Sequence, residues 1–175
     1  MPERVGLLGL GSNVGERAGN LRAALQALAA ADVRILACSS LYDTDPVGEV
    51  TDQPSFLNAC LRISTALEPL ELLETVKELE RELGREPGGV RHGPRPIDID
   101  ILLLGELELA HERMTLPHEQ LLARRFVLIP ALELDFELCA PTGDGGSVRL
   151  ADALAALPLD EGVRWAAPPL ELPSD

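Results

Sequence analysis

Residues 93–102 read Gly93-Pro94-Arg95-Pro96-Ile97-Asp98-Ile99-Asp100-Ile101-Leu102, and this stretch constrains the fold more than any other. Three isoleucines alternate with two aspartates, the period of a strand with one apolar face and one acidic face. Asp98 and Asp100 therefore share a face, with side chains roughly 7 Å apart along the strand. Two carboxylates so close to a core repel, and their pKa values rise unless positive charge lies between them. Carboxylate oxygens are the ligands that Mg²⁺ prefers. Arg95 stands just upstream, in a loop (85–96) punctuated by glycine and proline that also carries Arg85 and Arg91. Paired acids beside planar cations suit phosphoryl-group chemistry. An edge strand with a solvated acidic face is the alternative that these residues alone leave open.

The rest of the chain supplies the elements needed to cover the isoleucines. Val5–Gly11 reads as a buried strand and 15–31 as a helix, with Leu21, Leu25 and Leu28 at helical spacing. Residues 33–42 read as a second strand and 43–54, with Pro46, Gly48 and Pro54, as a loop. Residues 56–66 alternate as a third strand. Residues 69–83 form a helix with Pro69 in its first turn and Gly84 placed to end it. Strand 97–104 follows, then a turn at 117–123 and helices over 125–134 and 148–157. This order of two β-α-β units predicts an α+β fold. Its form is a ferredoxin-like sandwich, a mainly antiparallel sheet with helices packed on one face. The expected domain is 1–157. Residues 158–175, acidic and with four prolines, read as an extended surface tail.

Charge narrows the function. A net charge of −14 argues against a nucleic-acid binder or a polybasic membrane-surface protein. Yet eight of the fifteen basic residues lie between Lys77 and Arg125, which suits a small polyanion. Cys38, Cys60 and Cys139 are odd in number and lack CxxC spacing, so buried free thiols in a reducing compartment are expected. No basic segment precedes an apolar run at the N-terminus, and no apolar run nears the roughly 20 residues of a bilayer span. A cytoplasmic protein is expected.

Gly9-Leu10-Gly11-Ser12-Asn13-Val14-Gly15 follows a strand and opens a helix, but its spacing is GxGxxxG rather than that of a dinucleotide fingerprint. A tight strand-to-helix turn accounts for the glycines as well. Phe56 offers a stacking face and Asn58 amide hydrogen bonds for a planar ligand under the 43–54 loop. His118 and Arg124-Arg125-Phe126 could add an imidazole, cations and a second ring.

Taken together, these segments resemble the 6-hydroxymethyl-7,8-dihydropterin pyrophosphokinase family of folate biosynthesis. The resemblance rests on Gly11-Ser12-Asn13, residues 42–48 and 53–59, Glu80 to Gly84-Arg85, the Gly-Pro-Arg-x-Ile-Asp-x-Asp segment at 93–100, and Pro117-His118 to Phe126. It implies transfer of pyrophosphate from ATP to the pterin hydroxymethyl group with release of AMP, using two Mg²⁺ ions. It further implies Asp98 and Asp100 as metal ligands and Arg85 and Arg95 as catalytic phosphate contacts. Thr44, Val47, Phe56, Asn58 and Phe126 match the pterin pocket. Lys77, Glu80, Arg91, Ile101, Arg113, Thr115, His118 and Arg124 match the ATP side. The chain departs from the pattern at Lys77, Pro87, His92 and Glu119, where glutamine, arginine, tryptophan and tyrosine can occur. The expected partners are ATP and the pterin, with no nucleic acid and no membrane, and the expected state is a monomer, with a dimer as the alternative. A non-catalytic ligand-sensing domain of the same fold is the rival reading.

Overall fold

The computed structural model describes residues 2–47, 52–86, 88–89, 93–159 and 162–174. Its first half runs β1 (Arg4–Ser12), α1 (Arg17–Ala30), β2 (Arg34–Cys38), β3 (Leu41–Thr44), β4 (Phe56–Thr65), α2 (Pro69–Glu82) and β5 (Asp98–Leu104). Then come β6 (Leu109–His111), β7 (Met114–Leu116), α3 (Arg125–Leu134), β8 (Cys139–Pro141), β9 (Ser147–Arg149), α4 (Leu150–Ala156) and β10 (Val163–Ala167). The main sheet is antiparallel in the order β10-β3-β4-β1-β5, with β2 also on β4. That is the ferredoxin-like arrangement expected from the order of elements.

Alternation in the strands divides the interior in two. Leu8, Leu10, Ala59, Leu61, Ile63, Ile99 and Ile101 pack with Leu21, Leu25 and Leu28 of α1 and Leu72, Val76 and Leu79 of α2. Leu7, Cys60, Leu102 and Leu103 turn to the opposite face, where Leu128 and Ala131 of α3 and Leu150 of α4 cover them. The expectation of helices on one face is thus corrected. α3 and α4 lie on the second face, because a sheet apolar on both sides must be covered on both. They leave uncovered the end of that face where the polar residues lie.

Three further departures from the sequence reading have local causes. The expected strand 33–42 is two strands, both paired with β4. Ser39 and Ser40 form the break. The Ser39 Oγ accepts the Cys60 N–H at 2.9 Å and donates to the Ser40 carbonyl at 2.8 Å, so a buried hydroxyl keeps the ladder satisfied across it. Tail residues 163–167 lie on the surface but are not a free tail. They form β10, which pairs with β3 and places Trp165 opposite Tyr42. In β5 the register shifts, with Leu7 opposite Leu103 and Leu8 opposite Ile101. Leu102 is the extra residue of a bulge.

α2 ends as its sequence foretells. Gly84 takes φ +100, its N–H bonds the Arg81 carbonyl, and the Arg85 N–H bonds the Glu80 carbonyl at 2.9 Å. This is the Schellman closure, for which glycine is the residue of choice.

Ser39→Ala should lower stability by about 1–3 kcal/mol, the cost of leaving the Cys60 N–H buried and unsatisfied. Urea unfolding measures it, and a loss under about 0.5 kcal/mol would show that the break does not need the hydroxyl.

Candidate active site

The register of the sheet assembles the site before any loop is considered. Asp98 lies opposite Gly11 and Asp100 opposite Gly9 on β1. One strand further, Gly11 faces Asn58 and Gly9 faces Cys60 on β4. Tyr42 and Thr44 on β3 continue these rows opposite Asn58 and Phe56. Directly opposed residues share a face, so acids, glycines, amide and ring all meet on the second face. Gly9 and Gly11 are therefore strand residues, and of the glycines that resemble a nucleotide-binding turn Gly15 alone, with φ +70, sits in the turn before α1. The two strand glycines form a side-chain-free floor: a Cβ on Gly11 would come within 2.7 Å of the Asn58 Oδ1, and one on Gly9 within 3.4 Å of the Leu102 Cδ1.

Above this floor is a cleft of about 370 Å³. The expected residues Thr44, Val47, Phe56, Asn58 and Phe126 line one part of it. Lys77, Arg85, Arg95, Asp98, Asp100, His118 and Arg124 line the rest. Glu80, Ile101, Arg113 and Thr115 do not line it. Ile101 is buried in the core on the α1–α2 side. Arg113 bonds Glu74, and Thr115 pairs with Ala110 in the β6–β7 hairpin. Arg91, Pro87 and His92 lie outside the described residues. Asp45, Cys60 and Gln120, which the sequence reading gave no site role, also line the cleft, as do Gly9 and Gly11 of the turn motif and Glu119, a departure from the family pattern. A period-two pattern shows that a glycine shares a face with its neighbour two residues on, but not which strand lies opposite.

Glu80 acts from behind the wall. It is 2% exposed, and its carboxylate accepts the Ile99 N–H at 2.8 Å, the Arg85 Nη1 at 2.8 Å and the Lys77 Nζ at 3.2 Å. A buried acid with three donors is a brace: it ties α2 to β5 and aims Arg85. The same Arg85 Nη1 reaches the Asp98 Oδ1 at 2.9 Å, and the Arg95 Nη1 meets that oxygen at 3.2 Å.

Asn13, 2% exposed, braces the other side. Its Nδ2 donates to the Gln53 Oε1 at 2.8 Å and the Pro54 carbonyl at 3.0 Å. Its Oδ1 accepts the Arg95 N–H at 2.8 Å. One amide thus joins the loop before β4 to the loop before β5. Arg17 closes the base of the first loop, reaching Asp43 at 3.4 Å and the Ser55 carbonyl at 3.0 Å. Burial would raise the Asp43 carboxyl. The Ser55 hydroxyl and the guanidiniums of Arg17 and Arg164 outweigh it and hold the group below its ordinary range.

The two central acids differ in their company. Asp98 has two guanidiniums. Asp100 is pushed up to about 7, by burial first and then by the charge of Asp98; Glu80 adds to this, and Lys77 and Arg124 oppose it. Asp100 thus lacks the cation that would keep it ionised. His118 is held below its ordinary value by burial and by Arg124, which outweigh Asp98 and Glu119, so the ring is neutral at pH 7. Its Nδ1 accepts the Gln120 N–H at 3.1 Å, which leaves the Nε2–H as a donor. The His118 N–H is itself held by the Leu102 carbonyl at 2.9 Å, at the bulge.

Among the described residues, four cations (Lys77, Arg85, Arg95, Arg124) and four acids (Asp45, Asp98, Asp100, Glu119) line the cleft. Among the described residues no group of three or more His, Cys, Asp or Glu side chains could hold a metal ion. Two carboxylates without a third protein ligand suit Mg²⁺, which keeps several waters and completes its shell with substrate phosphates.

A sequence model described as 7,8-dihydro-6-hydroxymethylpterin-pyrophosphokinase (HPPK) matches residues 7–136. The chain is 44% identical to the 2-amino-4-hydroxy-6-hydroxymethyldihydropteridine pyrophosphokinase of Bacillus subtilis, covering 74% of this chain and 77% of the relative. It is 41% identical to the Pseudomonas aeruginosa protein of the same name, covering 86% and 90%. It is 45% identical to a folate synthesis bifunctional protein of Arabidopsis thaliana, covering 73% of this chain but 26% of the relative. The chain thus spans about a quarter of that plant protein. A crystal structure of HPPK-DHPS in complex with substrates superposes with a TM-score of 0.69 at 12% identity, over 89% of this chain and 43% of the other. That likeness shows the fold. No helix among the described residues is long and apolar enough to cross a membrane.

The raised Asp100 gives a pH signature to the metal-free protein. Its folded pKa lies above the unfolded one, so the folded state binds more protons between them and loses stability as pH rises from about 4 to about 7. Asp100→Asn should therefore gain more stability over wild type at pH 8 than at pH 5, by about 1–3 kcal/mol. Urea midpoints in the presence of a chelator test this; equal gains at both pH values would place Asp100 in a neutralised environment.

Proposed function

Since the chain belongs to the 7,8-dihydro-6-hydroxymethylpterin-pyrophosphokinase family, we propose that it transfers pyrophosphate from ATP to 6-hydroxymethyl-7,8-dihydropterin in folate synthesis. The observation that carries this reading is the single cleft in which Asp98 and Asp100 stand beside Arg85 and Arg95 and next to a pocket walled by Phe56, Asn58 and Phe126. A ligand-sensing domain of this fold would account for the pocket but not for two neighbouring carboxylates beside two arginines, one of the acids being left without an ion pair.

In this reading the pterin ring lies against Phe56 and Phe126. The Asn58 amide, whose Nδ2 donates to the buried Thr44 Oγ1 at 2.5 Å, presents its remaining polar atoms to the ring edge. Arg124 sits with its guanidinium carbon 5.4 Å from the Phe126 ring centre, a cation–π contact that fixes the aromatic wall. ATP lies over the acids, with Arg85, Arg95 and Lys77 toward its phosphates and the neutral His118 supplying an N–H. Arg113 and Thr115 belong on this side only through the family resemblance, and Glu80 acts through Arg85.

The hydroxymethyl oxygen attacks the β-phosphorus. The bond from that phosphorus to the α–β bridging oxygen breaks, AMP leaves, and the hydroxyl proton passes to solvent. Such a transfer needs alignment and charge neutralisation more than covalent help. Two Mg²⁺ ions, held by Asp98 and Asp100, would neutralise the phosphates and lower the pKa of the attacking hydroxyl. The protein's own part is to place the oxygen and phosphorus in line. As negative charge moves to the leaving AMP, Arg85 and Arg95 meet it with planar donors. The reading includes a chain working as a monomer in the cytoplasm.

Asp98→Ala or Asp100→Ala should lower the rate of AMP release by about a hundredfold or more while the fold persists, since a lost metal ligand costs several kcal/mol in the transition state. The assay uses ATP, Mg²⁺ and the reduced hydroxymethylpterin. ADP as the product, or full turnover by either variant at limiting Mg²⁺, would overturn the assignment. Arg95→Ala should lower kcat more than it weakens pterin binding. A normal chemical step in rapid-quench kinetics would restrict Arg95 to binding.

A further inference from the structure

We infer that residues 162–164, where the C-terminal strand begins, are a positioning element for the pterin side of the cleft. They lie beyond residues 7–136, the span that the family model matches. The inference rests on the assignment of the Thr44–Phe56–Asn58 wall to the pterin.

β3 is only four residues long, and its last residue is Thr44. Without β10 it would be an edge strand held from one side, the situation in which strand ends fray. β10 supplies the second side at that end. Val163 lies opposite Thr44, the Gly162 carbonyl accepts the Asp45 N–H at 3.0 Å, and the Arg164 Nη2 meets the Asp45 Oδ1 at 3.0 Å. Thr44 in turn accepts the hydrogen bond of the Asn58 Nδ2. The orientation of the Asn58 amide in the cleft is thus fixed through Thr44 by a strand on the outer edge of the sheet.

Asp45 lines the same cleft, and a free carboxylate there would add to the repulsion around Asp98 and Asp100. Arg164 holds it at the sheet edge. Gly162 makes room for this: a Cβ there would lie 1.9 Å from the Asp45 Oδ2 and 2.5 Å from its Cγ. Any side chain at 162 therefore drives the Asp45 carboxylate from its seat. The ion pair is solvent-exposed, with side chains 54% and 61% accessible, so it adds little to global stability. Its effect is on where Thr44, Asp45 and Asn58 stand, and misplaced contacts weaken binding without unfolding the protein.

Three single variants of the full chain test this: Gly162→Ala, Arg164→Ala and, as a control, Arg149→Ala, which removes a surface pair with Glu137 on the β8–β9 hairpin. Titration calorimetry gives the Kd of 6-hydroxymethyl-7,8-dihydropterin with Mg²⁺ and a non-hydrolysable ATP analogue, and separately that of the analogue. Steady-state assays give KM and kcat. Gly162→Ala and Arg164→Ala should raise pterin Kd and KM about five- to tenfold. The analogue's Kd and kcat should stay within about twofold, and thermal unfolding should be nearly unchanged. Arg164→Lys should restore most of the loss. Arg149→Ala should match wild type throughout. Wild-type pterin affinity in both Gly162→Ala and Arg164→Ala would overturn the inference and leave the functional reading standing. A wild-type protein with no pterin affinity and no AMP release would overturn that reading and this inference with it.

Discussion

The antiparallel pairing of β1 with β5 is the constraint on which the rest depends. It sets Gly9 and Gly11 against Asp100 and Asp98, and so places two carboxylates beside a floor of bare backbone. A larger residue at either glycine would fill the space above the sheet with its own side chain. The same ladder turns the intervening Leu8, Leu10, Ile99 and Ile101 toward α1 and α2. Burial of those residues, at about 1.5–3 kcal/mol for each large side chain, fixes the register. A slip of one residue would bury the acids and expose the isoleucines. The hydrophobic term on one face therefore holds the costly charges in place on the other.

Around that ladder, buried polar groups hold the loops. Glu80 and Asn13 are each nearly inaccessible and each almost fully partnered. Glu80 lies in α2 and Asn13 just after β1, and each bonds residues of other segments. A buried group left without its partner costs more than the bond itself contributes, so these two side chains leave the chain few other arrangements. The arginines are then held close to Asp98 before substrate arrives, which reduces the ordering needed on binding.

What was legible in the sequence is what local pattern encodes. The shared face of Asp98 and Asp100, the end of α2 at Gly84 with Arg85 just beyond it, and the overall order of elements all follow from periodicity and helix-ending chemistry. Phe56, Asn58 and Phe126 were found as isolated chemistry and then brought together by the fold. Opposition between distant residues was not legible. No local signal tells that Gly11 faces Asp98, or that a strand near residue 165 would pair beside Tyr42. The two-serine break after Cys38 was hidden because its hydroxyl partner is Cys60, across the sheet. Ile101, which the resemblance matches to the ATP side, has its side chain in the core. Family likeness marks a position without saying whether its side chain or its backbone faces the cleft.

The bulge at Leu102 separates the strand into two mechanical parts. Upstream of it, the acid pair is locked to β1 by the ladder. At the bulge, the Leu102 carbonyl holds His118 and with it the segment that leads to Arg124 and Phe126. The joint acts as a seam between modules that can vary independently. Lengthening or shortening the 105–117 segment re-aims the imidazole side of the cleft while the carboxylates keep their places. A lineage carrying this sheet can thus reshape one wall of the cleft without moving the acids on its floor.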